Sequence, residues 1–92
     1  MSSMESRPGT SGTVILVGTV PVPDLVRELS GAAEEVRIVF YGEGVNNGWT
    51  GEPNHYYLLT DVEGRGGEPF SQCLTDPECA KMLMTAGKVL TF

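Results

Sequence analysis

Cationic residues are scarce in this sequence. Six lysines and arginines stand against twelve aspartates and glutamates, which gives a formal net charge of −6. Binding to a nucleic-acid backbone needs a basic stripe, and binding to an anionic membrane surface needs a basic patch. We therefore expect neither a nucleic acid nor a membrane among the direct partners. An acidic balance of this size is typical of proteins that simply stay in solution.

Long apolar runs are also missing. No stretch approaches the roughly 20 apolar residues of a membrane-spanning helix. The segment Met1–Gly12 is rich in serine and glycine and has no apolar core of a signal peptide. These two observations predict a cytoplasmic protein. Because the same segment offers almost nothing to bury, we expect a disordered tail at 1–12 and a single domain at 13–92.

Cysteine and histidine are rare, which limits the metal and catalytic chemistry of the chain. Two cysteines, Cys73 and Cys79, and one histidine, His55, do not make a structural zinc site. We therefore expect no metal and no cofactor. Cys79 falls in the first turn of a predicted helix, where the helix dipole favours a thiolate. A nucleophilic Cys79 or Cys73 is thus the alternative to a pair of structural thiols.

The sequence does contain short segments that are apolar on both alternating faces. Thr13–Val17 and Val36–Tyr41 have this pattern, which is typical of strands buried in the centre of a parallel α/β sheet. Between them, Pro23–Ser30 has helical spacing and begins with a proline suited to a first turn. The three segments together predict a right-handed β-α-β unit.

The second half of the chain alternates apolar segments with turn residues. In order, the pattern predicts a strand at His55–Thr60, a turn at Asp61–Pro69, a very short strand at Phe70–Leu74, a helix at Pro77–Ala86 and a strand at Lys88–Phe92. Thr75 and Glu78 have the spacing of a capping box at the start of that helix. The predicted fold is a small, mostly parallel α/β sheet. A ferredoxin-like βαββαβ arrangement, of the α+β class, fits the same pattern if 70–74 is a loop.

The loop that follows the Val36–Tyr41 strand is the predicted site. Ligands and partners of open parallel sheets meet the loops at the carboxyl ends of the strands, and here the chain turns abruptly into glycines and asparagines. The loop 42–54 lacks the lysine of a phosphate-binding loop. Its Trp49 is either a lid over the core or an interface anchor. The residues expected to contact a ligand or partner are Tyr41, Glu43, Asn46, Asn47, Trp49 and His55.

The number of helices predicts an oligomer. Two short helices are too few to cover both faces of a four- or five-stranded sheet. Uncovered apolar area beyond a few hundred Å² usually marks an interface. We therefore expect a second chain to cover the remaining face, with Trp49 and Tyr41 near the contact.

Several of these segments resemble a known family. The run Val39–Asn47 resembles the strand followed by Asp/Glu-Gly-Val of the DsrE/DsrF/DsrH (TusD/TusC/TusB) sulfur-relay family. Tyr56–Asp61, with Arg65–Gly66 downstream, is similar to the third strand of that family and the Arg-Gly after it. Cys79–Leu83, followed by Lys88–Phe92, is similar to its last helix and closing strand. The order of elements looks most like the short DsrH/TusB-type members.

The resemblance implies an α/β fold with a mostly parallel sheet, assembled into homo- or hetero-oligomers of related subunits. Such assemblies pass persulfide sulfur between cysteines, in tRNA thiolation or in sulfur oxidation. In the DsrE-type members the sulfur-carrying cysteine lies at the third strand, which corresponds to about Leu58 here. Because leucine cannot carry sulfur, the resemblance implies a non-catalytic subunit.

Three functions therefore follow from the sequence. The first is the non-catalytic subunit of an oligomeric sulfur-relay-like assembly. The second is a ferredoxin-like module that binds a small effector or a protein through the loop 42–54. The third is a cysteine-dependent sulfurtransferase that uses Cys79 or Cys73.

Overall fold

A single five-stranded sheet organises the protein. The computed structural model describes residues 12–32 and 35–92. The strands are β1 (Thr13–Val17), β2 (Val36–Phe40), β3 (His55–Leu58), β4 (Cys73–Leu74) and β5 (Lys88–Thr91). Their order is β4-β3-β2-β1-β5, and every neighbouring pair is parallel. The predicted α/β class is confirmed. The ferredoxin-like alternative is wrong, because that fold has antiparallel neighbours.

Helices lie on both faces of this sheet. They are α1 (Asp24–Ala32), a 3-10 helix (Gly42–Asn47), α2 (Leu59–Gly64) and α3 (Asp76–Thr85). The chain moves stepwise from β1 to β4 and then returns to the far side of β1 as β5. Because crossovers between parallel strands are right-handed, α1, the 3-10 helix and α2 cover one face, here called the first face. The crossover through α3 runs the opposite way and places that helix on the second face.

The main hydrophobic core lies under the first face. Alternate strand residues point there and meet Val26 of α1 and Val62 of α2. The strand residues of this core are Ile15, Val17, Val36, Ile38, Phe40 and Tyr57. Cys73, Leu90 and Phe92 pack against its edges. Burial in this core explains why the residues of β1 and β2 that point to the first face are apolar.

The second face is covered less completely. Val14 and Val39, whose side chains alternate with those of the core, are buried there. None of the ten residues of α3 is fully buried, although the helix crosses this face. The second face is therefore only partly shielded by the described residues of the chain.

The region after β3 differs from its prediction. The structure has a helix, α2, over residues 61–64 of the turn expected at Asp61–Pro69, and β3 ends at Leu58 rather than Thr60. Residues 65–69 form a turn and loop, as expected. The turn prediction is wrong over 61–64, because burial of Val62 holds these residues in a helix even though glycines follow Glu63. The fourth strand is also shorter than expected, since only Cys73–Leu74 pairs with β3.

The capping box at the start of α3 is confirmed. The Thr75 hydroxyl accepts a hydrogen bond from the Glu78 amide at 3.3 Å, and the Glu78 carboxylate accepts one from the Thr75 amide at 2.8 Å. Both bonds join residues that are close in sequence, so they satisfy free amides at the helix start without help from the rest of the fold.

The predicted tail at 1–12 lies almost entirely outside the described residues. Its last residue, Gly12, belongs to the fold, because its carbonyl oxygen accepts hydrogen bonds from the amides of Gly87 and Lys88 at 3.0 and 3.2 Å. Within residues 12–32 and 35–92, no helix has both the length and the apolar character needed to cross a membrane.

Candidate functional site

The loop at the carboxyl end of β2 packs tightly against the end of β1. Gly44 lies so close to β1 that any side chain there would collide with the Val17 carbonyl oxygen. Gly42 has a φ of 51°, in the left-handed region that glycine adopts most easily. Asn47 donates hydrogen bonds of 2.8 Å to the carbonyl oxygens of Thr19 and Gly44. The loop 42–54 is thus held against the end of β1 by the backbone contact of Gly44 and by the hydrogen bonds of the Asn47 side chain.

Helix α2 holds the other side of this loop. The Gly42 amide donates a hydrogen bond of 2.8 Å to the Asp61 carboxylate, and the Gly42 carbonyl accepts one of 3.2 Å from Arg65 Nε. Arg65 also forms an ion pair with Glu43, with 3.2 Å between Nη2 and Oε2. Both side chains of that pair are substantially exposed, so its contribution to stability is small.

Three aromatic rings meet beside this loop on the first face. The ring centroids of Tyr57 and Phe70 are 5.2 Å apart, and those of Trp49 and Phe70 are 5.5 Å apart, both in edge-to-face geometry. Trp49 and Tyr57 are 6.2 Å apart. Tyr57 is almost completely buried, whereas Trp49 is 59% exposed and Phe70 is 37% exposed. The buried ring therefore forms a base on which two exposed rings rest.

A small cavity of about 150 Å³ opens at these rings. The residues that matter for its chemistry are Asn46, Trp49, Tyr57, Val62, Arg65 and Phe70. We call this cavity the aromatic pocket. Its walls come from the loop 42–54, β3, α2 and the segment before β4, so the pocket exists only in the folded chain.

His55 lies at the start of β3 and does not line the aromatic pocket. Its Nδ1 is 2.7 Å from the Thr50 hydroxyl, and its ring meets Phe40 edge-on at 5.5 Å. Burial lowers the pKa of His55, and the nearby negative charge of Glu52 opposes this shift only partly. The ring therefore serves as a hydrogen-bonding partner for the loop, through the Thr50 hydroxyl.

The two cysteines lie in different environments. Cys73 packs against the core of the first face, and Cys79 lies on α3. Both are free thiols. Burial raises the pKa of Cys79, and the negative charge of Asp76 raises it further. The dipole argument for a low-pKa thiol at Cys79 is thus outweighed by its surroundings, because burial and a neighbouring carboxylate both disfavour the thiolate.

The described part of the chain contains no candidate metal-binding site. No three His, Cys, Asp or Glu side chains there come close enough to hold an ion together. Glu43 is instead engaged by Arg65.

The residues predicted for the site do not all come together. Asn46 and Trp49 line the aromatic pocket, and Glu43 reaches its edge through Arg65. Tyr41 follows β2 with the orientation of Val39, towards the second face, and its ring lies against Gly18. Trp49 and Tyr41 are therefore on opposite sides of the sheet, so a single contact on the second face would include Tyr41 alone.

Sequence reasoning missed Arg65 and Phe70 as members of the site. Phe70 is the first residue of the predicted short strand, and the sequence points to Arg65 only through the family resemblance. A large apolar residue beside a glycine-rich turn was the available signal. No protein-family model, no curated protein and no solved structure matches this chain.

Proposed function

We propose that the chain is a non-catalytic subunit of an oligomeric assembly similar to those of the DsrE/DsrF/DsrH sulfur-relay family. The observation that carries the proposal is the partly covered second face. Domains of this size depend on burying most of their apolar side chains, so an apolar surface left by the chain itself favours association.

The apolar residues of the second face support this proposal. Tyr56, Leu58 and Leu74 alternate with core residues of β3 and β4 and are only half-buried. Val89, on the edge strand β5, is 41% exposed, and Met84 of α3 is 80% exposed. A partner that packs over α3 and the strands beside it would bury all of these groups. The expected partner is a second copy of the chain or a related subunit with the same kind of surface.

The absence of a favourable thiol supports the non-catalytic part of the proposal. The position that corresponds to the carrier cysteine of the resembling family is Leu58, at the end of β3. Cys79 has a raised pKa, which lowers the fraction of the nucleophilic thiolate at neutral pH. The all-parallel sheet is also the kind of sheet that the resemblance implies.

Sedimentation at micromolar concentration tests the assembly. The chain alone should sediment as a dimer or larger species. Met84→Glu places a charge in the proposed contact and should weaken association about tenfold or more, because the charge would be buried without a partner. Leu25→Glu is the matched control, since Leu25 is an exposed apolar residue of α1 on the first face. A folded monomer of 9.9 kDa at all concentrations contradicts self-association. In that case, a related subunit would have to be found that binds the chain and not its Met84→Glu variant.

A persulfide-transfer assay tests the absence of catalysis. A persulfide donor should leave no stable persulfide on Cys79 or Cys73 under conditions that load a known carrier protein. Transfer to Cys79 that Cys79→Ala abolishes would instead favour the cysteine-dependent sulfurtransferase.

A further inference from the structure

The size of the aromatic pocket points to a ligand that is independent of the assembly proposed above. Its volume is about 150 Å³. An apolar cavity of about this volume in another protein binds benzene, so the space corresponds to one six-membered ring. We propose that the aromatic pocket binds a small molecule with a single aromatic ring that carries a carboxylate.

The walls of the pocket favour a flat aromatic group. Tyr57 is held in place by its hydroxyl, which bonds to the loop above it. Trp49 and Phe70 contribute ring surfaces that remain 59% and 37% exposed. A bound ring would cover these surfaces through stacked or edge-to-face contacts, which aromatic pairs prefer.

The same rings do not form a cage for a cationic ligand. Their centroids are only 5.2 to 6.2 Å apart, so the rings contact one another and leave no room for a methylated ammonium group between them. Arg65 also lines the pocket and would repel a cation. The ligand therefore lies in the pocket beside the cluster, against the exposed faces of Trp49 and Phe70, with its polar substituent near Arg65.

The polar edge of the pocket favours a carboxylate. Arg65 presents a guanidinium group there, which binds carboxylates through two parallel hydrogen bonds, and Asn46 adds an amide. The charged partner of Arg65 is Glu43, whose side chain is 69% exposed, while its Nε donates to the Gly42 carbonyl. Because an exposed ion pair is weak, the carboxylate of a ligand can replace Glu43 at Arg65 while the Glu43 side chain returns to water.

Benzoate, benzyl alcohol and benzylamine are suitable probes, because they carry one ring and an anionic, a neutral or a cationic group. Trp49 is the only tryptophan, so its indole N–H gives a single assignable signal in a nitrogen-15 NMR spectrum. Benzoate should shift this signal saturably, with a dissociation constant on the order of 1 mM. Benzyl alcohol should bind several-fold more weakly, and benzylamine more weakly still. Equal binding of benzylamine and benzoate, or no saturable shift with benzoate, overturns the proposal.

Variants of the ion pair separate charge recognition from damage to the pocket. Glu43→Gln frees Arg65 from its competitor and should tighten benzoate binding two- to fivefold without changing benzyl alcohol binding. Arg65→Gln should weaken benzoate binding and leave benzyl alcohol binding unchanged. Arg37→Gln is the control, because Arg37 is an exposed arginine of β2 outside the pocket.

The outcome with Glu43→Gln decides the question if Arg65→Gln disturbs the loop. Benzoate affinity that is unchanged or weaker in Glu43→Gln shows that Arg65 does not receive the carboxylate and overturns the proposal. Phe70→Leu removes an aromatic wall and should weaken all three probes together, whereas unchanged binding would place the probes elsewhere.

Discussion

The Tyr57 hydroxyl donates a hydrogen bond of 2.6 Å to the Gly48 carbonyl oxygen. It also accepts a hydrogen bond of 3.1 Å from the amide of Thr50. A side chain that is 1% exposed thereby holds the backbone of an exposed loop at two points. This relationship places Trp49, which lies between the two bonded residues, over the buried ring.

Tyr57→Phe should therefore loosen the loop without emptying the core. The ring stays buried, but both hydrogen bonds are lost, and water can satisfy the exposed backbone groups. We expect the free energy of unfolding to fall by about 1–1.5 kcal/mol, measured by urea titration. Tyr56→Phe removes a hydroxyl from the opposite face and should cost less than about 0.5 kcal/mol. Equal costs for the two variants would contradict the anchoring role of Tyr57.

Replacing Gly44 or Gly64 with alanine should change the stability of the fold in opposite directions. In Gly44→Ala the new methyl group collides with the Val17 carbonyl. Because the backbone of β1 cannot shift without disrupting the sheet, we expect the free energy of unfolding to fall by about 3 kcal/mol, or the chain not to fold. In Gly64→Ala the methyl group meets nothing within 4 Å. Because alanine favours the helix α2 more than glycine does, the free energy of unfolding should rise by about 0.5–1 kcal/mol. Thermal melts of both variants test this contrast, and a harmless Gly44→Ala would show that the loop does not pack against β1 as described.

The thiol of Cys79 should be slow to react. In a Cys73→Ser variant Cys79 is the only thiol, so its alkylation by iodoacetamide can be followed as a function of pH. Because burial and Asp76 raise the pKa of Cys79, the reaction should accelerate at a higher pH in the folded chain than in the urea-unfolded chain. Asp76→Asn should shift the folded profile part of the way back. A folded profile that lies below the unfolded one would restore the case for a nucleophilic Cys79.

His55 should make the fold less stable as the pH falls. Burial lowers its pKa in the folded state, so the unfolded chain takes up a proton first and the free energy of unfolding decreases. The decrease should begin near pH 6.5, the ordinary value for histidine, and continue down to the lowered pKa of the folded state. Urea titrations between about pH 5.5 and 7.5 should show this slope in the native sequence and lose it in His55→Gln. A slope that persists in His55→Gln would have to come from other groups.

Local signals in the sequence predicted several elements well. The capping box of Thr75 and Glu78 was predictable because both of its hydrogen bonds join residues three positions apart. The strands β1 and β2 were predictable because apolar residues recur on both alternating faces, with Arg37 as the exception in β2, and a parallel sheet with helices on both sides buries most of them. The placement of the loop 42–54 at the carboxyl end of β2 followed directly from that strand.

Helix α2 could not be predicted from its own residues. A helix of six residues is too short to be stable alone, and its sequence runs into glycines. Contacts with distant parts of the chain stabilise it. The Asp61 carboxylate accepts a hydrogen bond from the Gly42 amide, and the Thr60 hydroxyl donates one to Asp76 at 3.0 Å. Val62 packs in the core. None of these partners is visible from the local pattern.

The sequence by itself determined the class of fold, the positions of the main strands and the start of α3, because alternation and capping depend on residues within a few positions of one another. Only the tertiary structure decided that Trp49 meets Phe70 on the first face while Tyr41 lies on the second. The physical reason is that two features determine which distant side chains meet: the handedness of each crossover and the face to which each strand residue points. Neither can be read from a local sequence pattern.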